Sequence, residues 1–115
     1  MTITTAQVYS LIEITEGDTS RVLYDSLTLA GQYIPLSGST VTLHWYDTDT
    51  GTVSIKSANI VNASSGSVSY QLTTPDVTEP GVKLLQWNVR FPSGKDLRIP
   101  TAKFIKLNVV GDIED

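Results

Sequence analysis

The 115-residue sequence contains no cysteine and only one histidine. The lack of cysteine excludes a disulfide framework, a thiolate zinc site and an iron–sulfur cluster. No stretch of about 18 apolar residues is present, so the sequence predicts no membrane-spanning helix. Residues 1–7 lack the basic region and the apolar run of a signal peptide, and we expect none. A chain of this length forms one domain that buries roughly two-thirds of its unfolded surface.

Positive charge is scarce in the first two-thirds of the chain. The formal net charge of −4 argues against nucleic acid as a partner. Six of the eight basic residues lie in the last third: Lys83, Arg90, Lys95, Arg98, Lys103 and Lys106. The final residues, 111–115, are acidic again. We therefore divide the chain into a flexible arm (1–6), a single domain (7–110) and an acidic tail (111–115).

Branched and aromatic residues dominate, while helix formers are few, and this composition favours strands. Residues 40–46 alternate cleanly, with Val41, Leu43 and Trp45 on one side. Residues 67–73 and 82–91 alternate in the same way. Turn signals recur every eight to twelve residues. The pattern predicts an all-β fold, an antiparallel immunoglobulin-like β-sandwich of seven to eight strands.

Three further strands follow from the same pattern. Residues 20–29 are predicted to be one strand, with Leu23, Leu27 and Leu29 on one face. Residues 53–61 are predicted to be a single weaker strand. The last strand is expected to bend at Pro100 and to run on to Val110, because proline interrupts a ladder of hydrogen bonds.

Residues suited to catalysis or metal binding are scattered. His44 lies on the polar side of its strand, and no serine stands in a nucleophile elbow. The segment 47–51 resembles the opening of a calcium loop, but Gly51 and Ala58 stand where carboxylate or amide ligands are needed. No glycine-rich phosphate loop is present. We therefore predict no catalytic residue, no cofactor and no metal site, and we expect that the protein is not an enzyme.

The polar sides of the strands offer one candidate partner surface. Strands 82–91 and 101–110 are expected to be neighbours, and Tyr24 and Tyr46 also lie opposite the core residues of their strands. The candidate surface comprises Tyr24, Tyr46, Asn88, Arg90, Lys106 and Asn108. Its positive charge suits an acidic partner, such as a neighbouring copy of this chain. The alternatives are an ordinary solvated face, or a sugar platform in which Tyr24, Tyr33 and Tyr46 are coplanar.

The order of short motifs resembles that of a known family. The motifs are Gly17–Thr19, Ile34–Val41, Gly66–Leu72, Pro75–Asp76, Gly81, Trp87–Phe91, Pro92–Gly94 and Pro100. Between about residues 12 and 110 the chain is similar to the N-terminal domain of phage baseplate upper proteins, an immunoglobulin-like virion domain. The resemblance implies a domain that anchors a protein to the phage tail, without catalytic residues.

The resulting hypothesis is a phage virion structural protein, made in the host cytoplasm, that attaches to the tail, baseplate or neck through protein–protein contacts. Its expected partners are other virion proteins or further copies of itself, and neither nucleic acid nor a membrane. The arm 1–6 is polar and β-prone, so it could add a strand to a neighbour. The alternatives are a capsid decoration or head fibre protein, or a carbohydrate-binding adhesion module.

Overall fold

The computed structural model describes residues 8–100 and 104–111. Within them lie eleven strands and a 3-10 helix, Thr74–Asp76. The strands are β1 (Val8–Thr15), β2 (Val22–Ser26), β3 (Thr28–Leu29), β4 (Gln32–Tyr33), β5 (Thr40–Asp47), β6 (Thr52–Ser57), β7 (Asn59–Asn62), β8 (Ser67–Gln71), β9 (Gly81–Arg90), β10 (Asp96–Ile99) and β11 (Phe104–Val110).

The larger sheet has the strand order β1-β11-β9-β5-β6, with β10 also paired to β9. Strand β5 pairs with one edge of β9. The other edge of β9 is shared, since β10 pairs with Trp87–Arg90 and β11 with Gly81–Leu85. Strands β10 and β11 thus lie end to end along the same edge of β9. The pairing of β10 ends at Ile99, where the cis Ile99–Pro100 bond follows. Strand β1 runs parallel to β11, and the other pairs are antiparallel.

The smaller sheet has the order β2-β8-β7, and β3 and β4 form a separate short hairpin. The chain crosses from the larger to the smaller sheet at Ala58, between β6 and β7. Trp45 and Trp87 of the larger sheet share one buried cluster with Val68 and Tyr70 of the smaller sheet. The fold is therefore an all-β, sandwich-like domain, which confirms the predicted fold class.

Several boundaries differ from the prediction. The segment 53–61 is two strands in different sheets, and the last strand is two strands, so the number of strands exceeds the seven to eight expected. The β1–β11 pair is parallel, whereas an antiparallel sandwich was predicted. The predicted strand 20–29 ends at Ser26, and Leu29 is exposed rather than on the core face. The arm 1–6 and residues 112–115 of the tail lie outside the described residues.

The exposure of Leu29 has a local cause. Ala30 and Gly31 both have positive φ angles, 51° and 79°, which is the backbone that a two-residue hairpin turn requires. This turn joins β3 to β4 and takes Leu29 away from the second sheet.

Gly66 lies where three segments of backbone meet. Its carbonyl accepts a hydrogen bond from the Leu27 N–H at 2.8 Å, and its φ is +66°. A Cβ atom added here would lie 2.6 Å from the Leu27 carbonyl oxygen and 3.1 Å from that of Ile34. Backbone atoms cannot move aside as the end of a side chain can, so this position requires glycine.

We expect Gly66→Ala to lower the free energy of unfolding by about 2–4 kcal/mol, because the clash adds to the cost of a positive φ. Gly31→Ala is the matched control: its φ is +79°, but an added Cβ meets no atom within 4 Å, so we expect a loss of about 1 kcal/mol. Denaturant unfolding followed by tryptophan fluorescence measures both. Equal losses in the two variants would contradict this explanation.

Candidate docking surface

One side of each strand in the larger sheet points away from the core, and we call this side the outer face. In β9 the side chains of Leu85, Trp87 and Val89 are buried in the core. The alternate residues Leu84, Gln86, Asn88 and Arg90 therefore lie on the outer face. Because β9 has neighbours on both edges, its outward side chains are flanked on each side by those of other strands.

A row of cross-strand pairs runs across the outer face from one edge strand to the other. We call it the central row, and its members are Leu11, Lys106, Leu84, Tyr46 and Val53. Leu84 is 3% exposed although it is not part of the core cluster, so its neighbours in the row cover it. Leu11 and Val53, at the two ends, are 55% and 63% exposed. The row is thus a largely apolar stripe on the side of the sheet that faces solvent.

A polar network lies further along the same face, near the end of β9. Arg90 donates two hydrogen bonds to Asp96, at 3.0 Å to Oδ1 and 2.9 Å to Oδ2. Asn88 donates to Asp96 at 3.2 Å and accepts from Arg98 Nε at 3.1 Å. The hydrogen bonds from Arg90 and then from Asn88 lower the pKa of Asp96 to about 2. Much of the positive charge of Arg90 is therefore balanced within the face itself.

The network borders a shallow groove of about 470 Å³, which is also lined by Thr40, Thr42, His44 and Ile55. Burial, and then the charge of Arg98, lower the pKa of His44, so its imidazole is neutral at pH 7. Ile55 pairs with His44 and is 64% exposed. The groove is open, and its polar groups largely bind one another.

The residues of the predicted partner surface fall into three groups. Asn88 and Arg90 belong to the polar network, with Asn88 only 7% exposed. Lys106 and Asn108 pair with Leu84 and Val82, which lie roughly 13 and 20 Å from Asn88 along β9 at about 3.4 Å per residue.

Tyr46 belongs with Lys106, since both lie in the central row, on either side of Leu84. Tyr24 is 72% exposed on β2 of the smaller sheet, on the opposite side of the sandwich. Tyr24 and Tyr46 therefore cannot form one coplanar platform, with or without Tyr33 on β4.

Sequence reasoning missed the apolar members of the outer face: Leu11, Leu84, Val53 and Ile55. The signal for one of them was present, since Leu84 and Leu85 are adjacent and a strand places adjacent side chains on opposite faces. One of the two leucines had to lie outside the core.

Asp47, which resembled a calcium ligand in the sequence, supports its turn instead. Its Oδ1 accepts the Asp49 N–H at 2.9 Å, and its Oδ2 lies 3.0 Å from Nζ of Lys83. The Lys83 side chain is buried, so this basic residue does not add charge to the outer face. Among residues 8–100 and 104–111, no group of three or more acidic or histidine side chains is arranged to hold a metal ion.

Lys56 connects the edge strand β6 to Asp76, in the 3-10 helix between β8 and β9. Its ammonium lies 3.2 Å from Oδ1 of Asp76 and 5.4 Å from the ring centroid of Trp45. Oδ2 of Asp76 accepts hydrogen bonds from the Tyr70 hydroxyl at 2.6 Å, the Thr73 N–H at 2.8 Å and the Thr73 hydroxyl at 2.9 Å. These contacts hold β6 in position against the rest of the domain, and Val53 and Ile55 are exposed on the same strand.

Burial alone would raise the pKa of Asp76, but the hydrogen bonds from Tyr70 and Thr73 and the ion pair with Lys56 outweigh it and lower the pKa. Burial, and then the neighbouring carboxylate, raise the pKa of Tyr70 well above its usual range. At neutral pH the pair is therefore a carboxylate that accepts from a protonated phenol. Asp76 stabilises the fold above the pKa of an unfolded aspartate, about 3.9, and this contribution is lost as the pH falls through the lower folded value.

We expect Asp76→Asn to lower the free energy of unfolding at pH 7 by about 2–4 kcal/mol, because it leaves buried donors and Lys56 without their anion. The difference between wild type and variant should shrink as the pH falls below about 4. Glu79→Gln, an exposed carboxylate of the same loop, is the control and should change stability by less than about 0.5 kcal/mol. A difference that is independent of pH would contradict the assigned ionisation.

In fold, the chain is similar to a domain of a phage protein, the N-terminal domain of phage TP901-1 ORF48. The TM-score is 0.63 at 12% identity, over 90% of this chain and 85% of the other. It is also similar to CopC from Methylosinus trichosporium OB3b, with a TM-score of 0.54 at 10% identity, over 89% and 85% of the two chains. These identities show a shared fold alone.

No protein-family model matches the sequence, and neither does any curated protein. Within the described residues, no helix has the length and apolarity needed to cross a membrane. The chain is therefore a small all-β domain of an architecture that also occurs in a phage protein.

Proposed function

We propose that this domain is a structural protein of a phage virion, attached to the tail, baseplate or neck through protein–protein contacts. The observation that carries the proposal is the fold shared with the N-terminal domain of phage TP901-1 ORF48 over 90% of the chain. The order of turn and strand motifs, which resembles that of phage baseplate upper proteins, supports the same role.

The outer face of the larger sheet is the contact surface that suits this role. Protein interfaces combine apolar and polar groups, and the outer face carries both, in the central row and in the Arg90–Asp96 network further along β9. The face is built on strands, so docking orders few loops and costs little conformational entropy. In this role the outer face carries out no chemical step, and it holds a neighbouring protein in place.

A sugar-binding function has weaker support, because such a site needs several aromatic rings on one surface. Tyr24 and Tyr46 lie on opposite sides of the sandwich. A capsid decoration or head fibre protein would use the same kind of contact as a tail protein. The position of the domain on the particle distinguishes these two structural roles.

Immunodetection on purified particles tests the proposal. Phage particles are isolated on a density gradient from a lysate that produces this protein, then probed with antibody against the folded domain. We expect the protein to sediment with the particles and gold label to mark the tail, baseplate or neck. Label on the head would favour the decoration role, and absence of the protein from particles would refute a virion function. Particles from a phage in which the gene is deleted provide the control.

A further inference from the structure

We infer that the outer face of the larger sheet binds the outer face of a second copy of this chain, so that two domains pack face to face around their central rows. This inference deepens the proposed docking function and rests on its premise that the domain acts through protein contacts. It adds the identity of the partner, a second copy of this chain, and the surface through which the two copies bind.

The first support is the apolar area that the face exposes. Leu11, Val53 and Ile55 are 55%, 63% and 64% exposed. Between the two edge strands that carry them lie Lys106 and Tyr46, with Leu84 buried beneath its neighbours. Exposed apolar side chains grouped on one face of a domain mark a site of association.

The second support is the size of the face. Five strands about 4.8 Å apart span roughly 19 Å, and the ten residues of β9 at about 3.4 Å each span roughly 30 Å. The product is on the order of 600 Å², before the side chains of the edge strands are added. A standard interface covers about 800 Å² on each partner. The outer face of a second copy has the same dimensions, and two sheets can pack face to face at about 10 Å.

The third support is the mixture of charges on the face. Arg90, Arg98 and Lys106 provide positive charge, while Glu13 and Asp96 provide negative charge on the same side of the sheet. A surface of one sign would repel its own copy. Because Asp96 is already bound by Arg90 of its own copy, the groups that a two-fold symmetric contact can bring together are Glu13 of one copy and Lys106 of the other. The net charge of −4 on the whole chain is thus not concentrated on this face.

Analytical ultracentrifugation of the whole chain over a wide range of concentration tests the inference. We expect wild type to form a dimer, and Ile55→Lys to raise the dissociation constant roughly 30-fold or more, because the contact then buries an unpaired ammonium in each copy. Val61→Lys is the matched control: Val61 is 58% exposed on β7 of the smaller sheet, and its substitution should leave the dissociation constant unchanged. Circular dichroism confirms that each variant is folded.

A wild-type chain that stays monomeric at every concentration overturns the inference, and so does a dimer that resists Ile55→Lys but is lost in Val61→Lys. The outcomes for the proposed function are separate. A monomer that is nevertheless found on phage particles overturns only the self-association. A dimer that is sensitive to Ile55→Lys but absent from particles supports the self-association and refutes the virion role.

Discussion

Strand β9 is buried on both of its faces, and the arrangement of the two layers depends on this. Trp87 is 1% exposed on the core side and Leu84 is 3% exposed on the outer side. The indole N–H of Trp87 also donates to Asp25 of the smaller sheet at 3.1 Å, which links the layers. A shift in register of one residue would exchange the two sets of side chains, so the core and the outer face are specified together.

The inward residues were predictable where one strand stays in one sheet for its whole length. In residues 40–46 the alternation alone assigned Val41, Leu43 and Trp45 to the core. The crossing at Ala58 was not predictable, because no proline or glycine marks it. Which sheet a strand joins is decided by partners distant in sequence, and the period of a strand does not contain this information.

The candidate surface was predictable to a similar degree. Asn88 and Arg90 lie on the outer face because the period of β9 places them opposite Trp87. The charge of Arg90 was overestimated, since Asp96 follows the five-residue connection 91–95 and pairs with Arg90 across it. This pairing could have been inferred from the hairpin, in which the residues that flank the turn face each other. Tyr24 was grouped with Tyr46 because both side chains point away from the core. They lie on different sheets, however, Tyr24 on the smaller and Tyr46 on the larger.

Strand β6 shows how one segment can favour contact through a face and oppose contact through an edge. As the last strand of the larger sheet it has one edge of its backbone without a partner among the strands of residues 8–100 and 104–111. A strand added to that edge would have to place a side chain beside Lys56, whose inward charge is held by Asp76. Inward charges on edge strands are a known means of preventing such addition. The outward side chains of the same strand, Val53 and Ile55, are apolar and exposed, so β6 favours contact through the face of the sheet over contact through its edge.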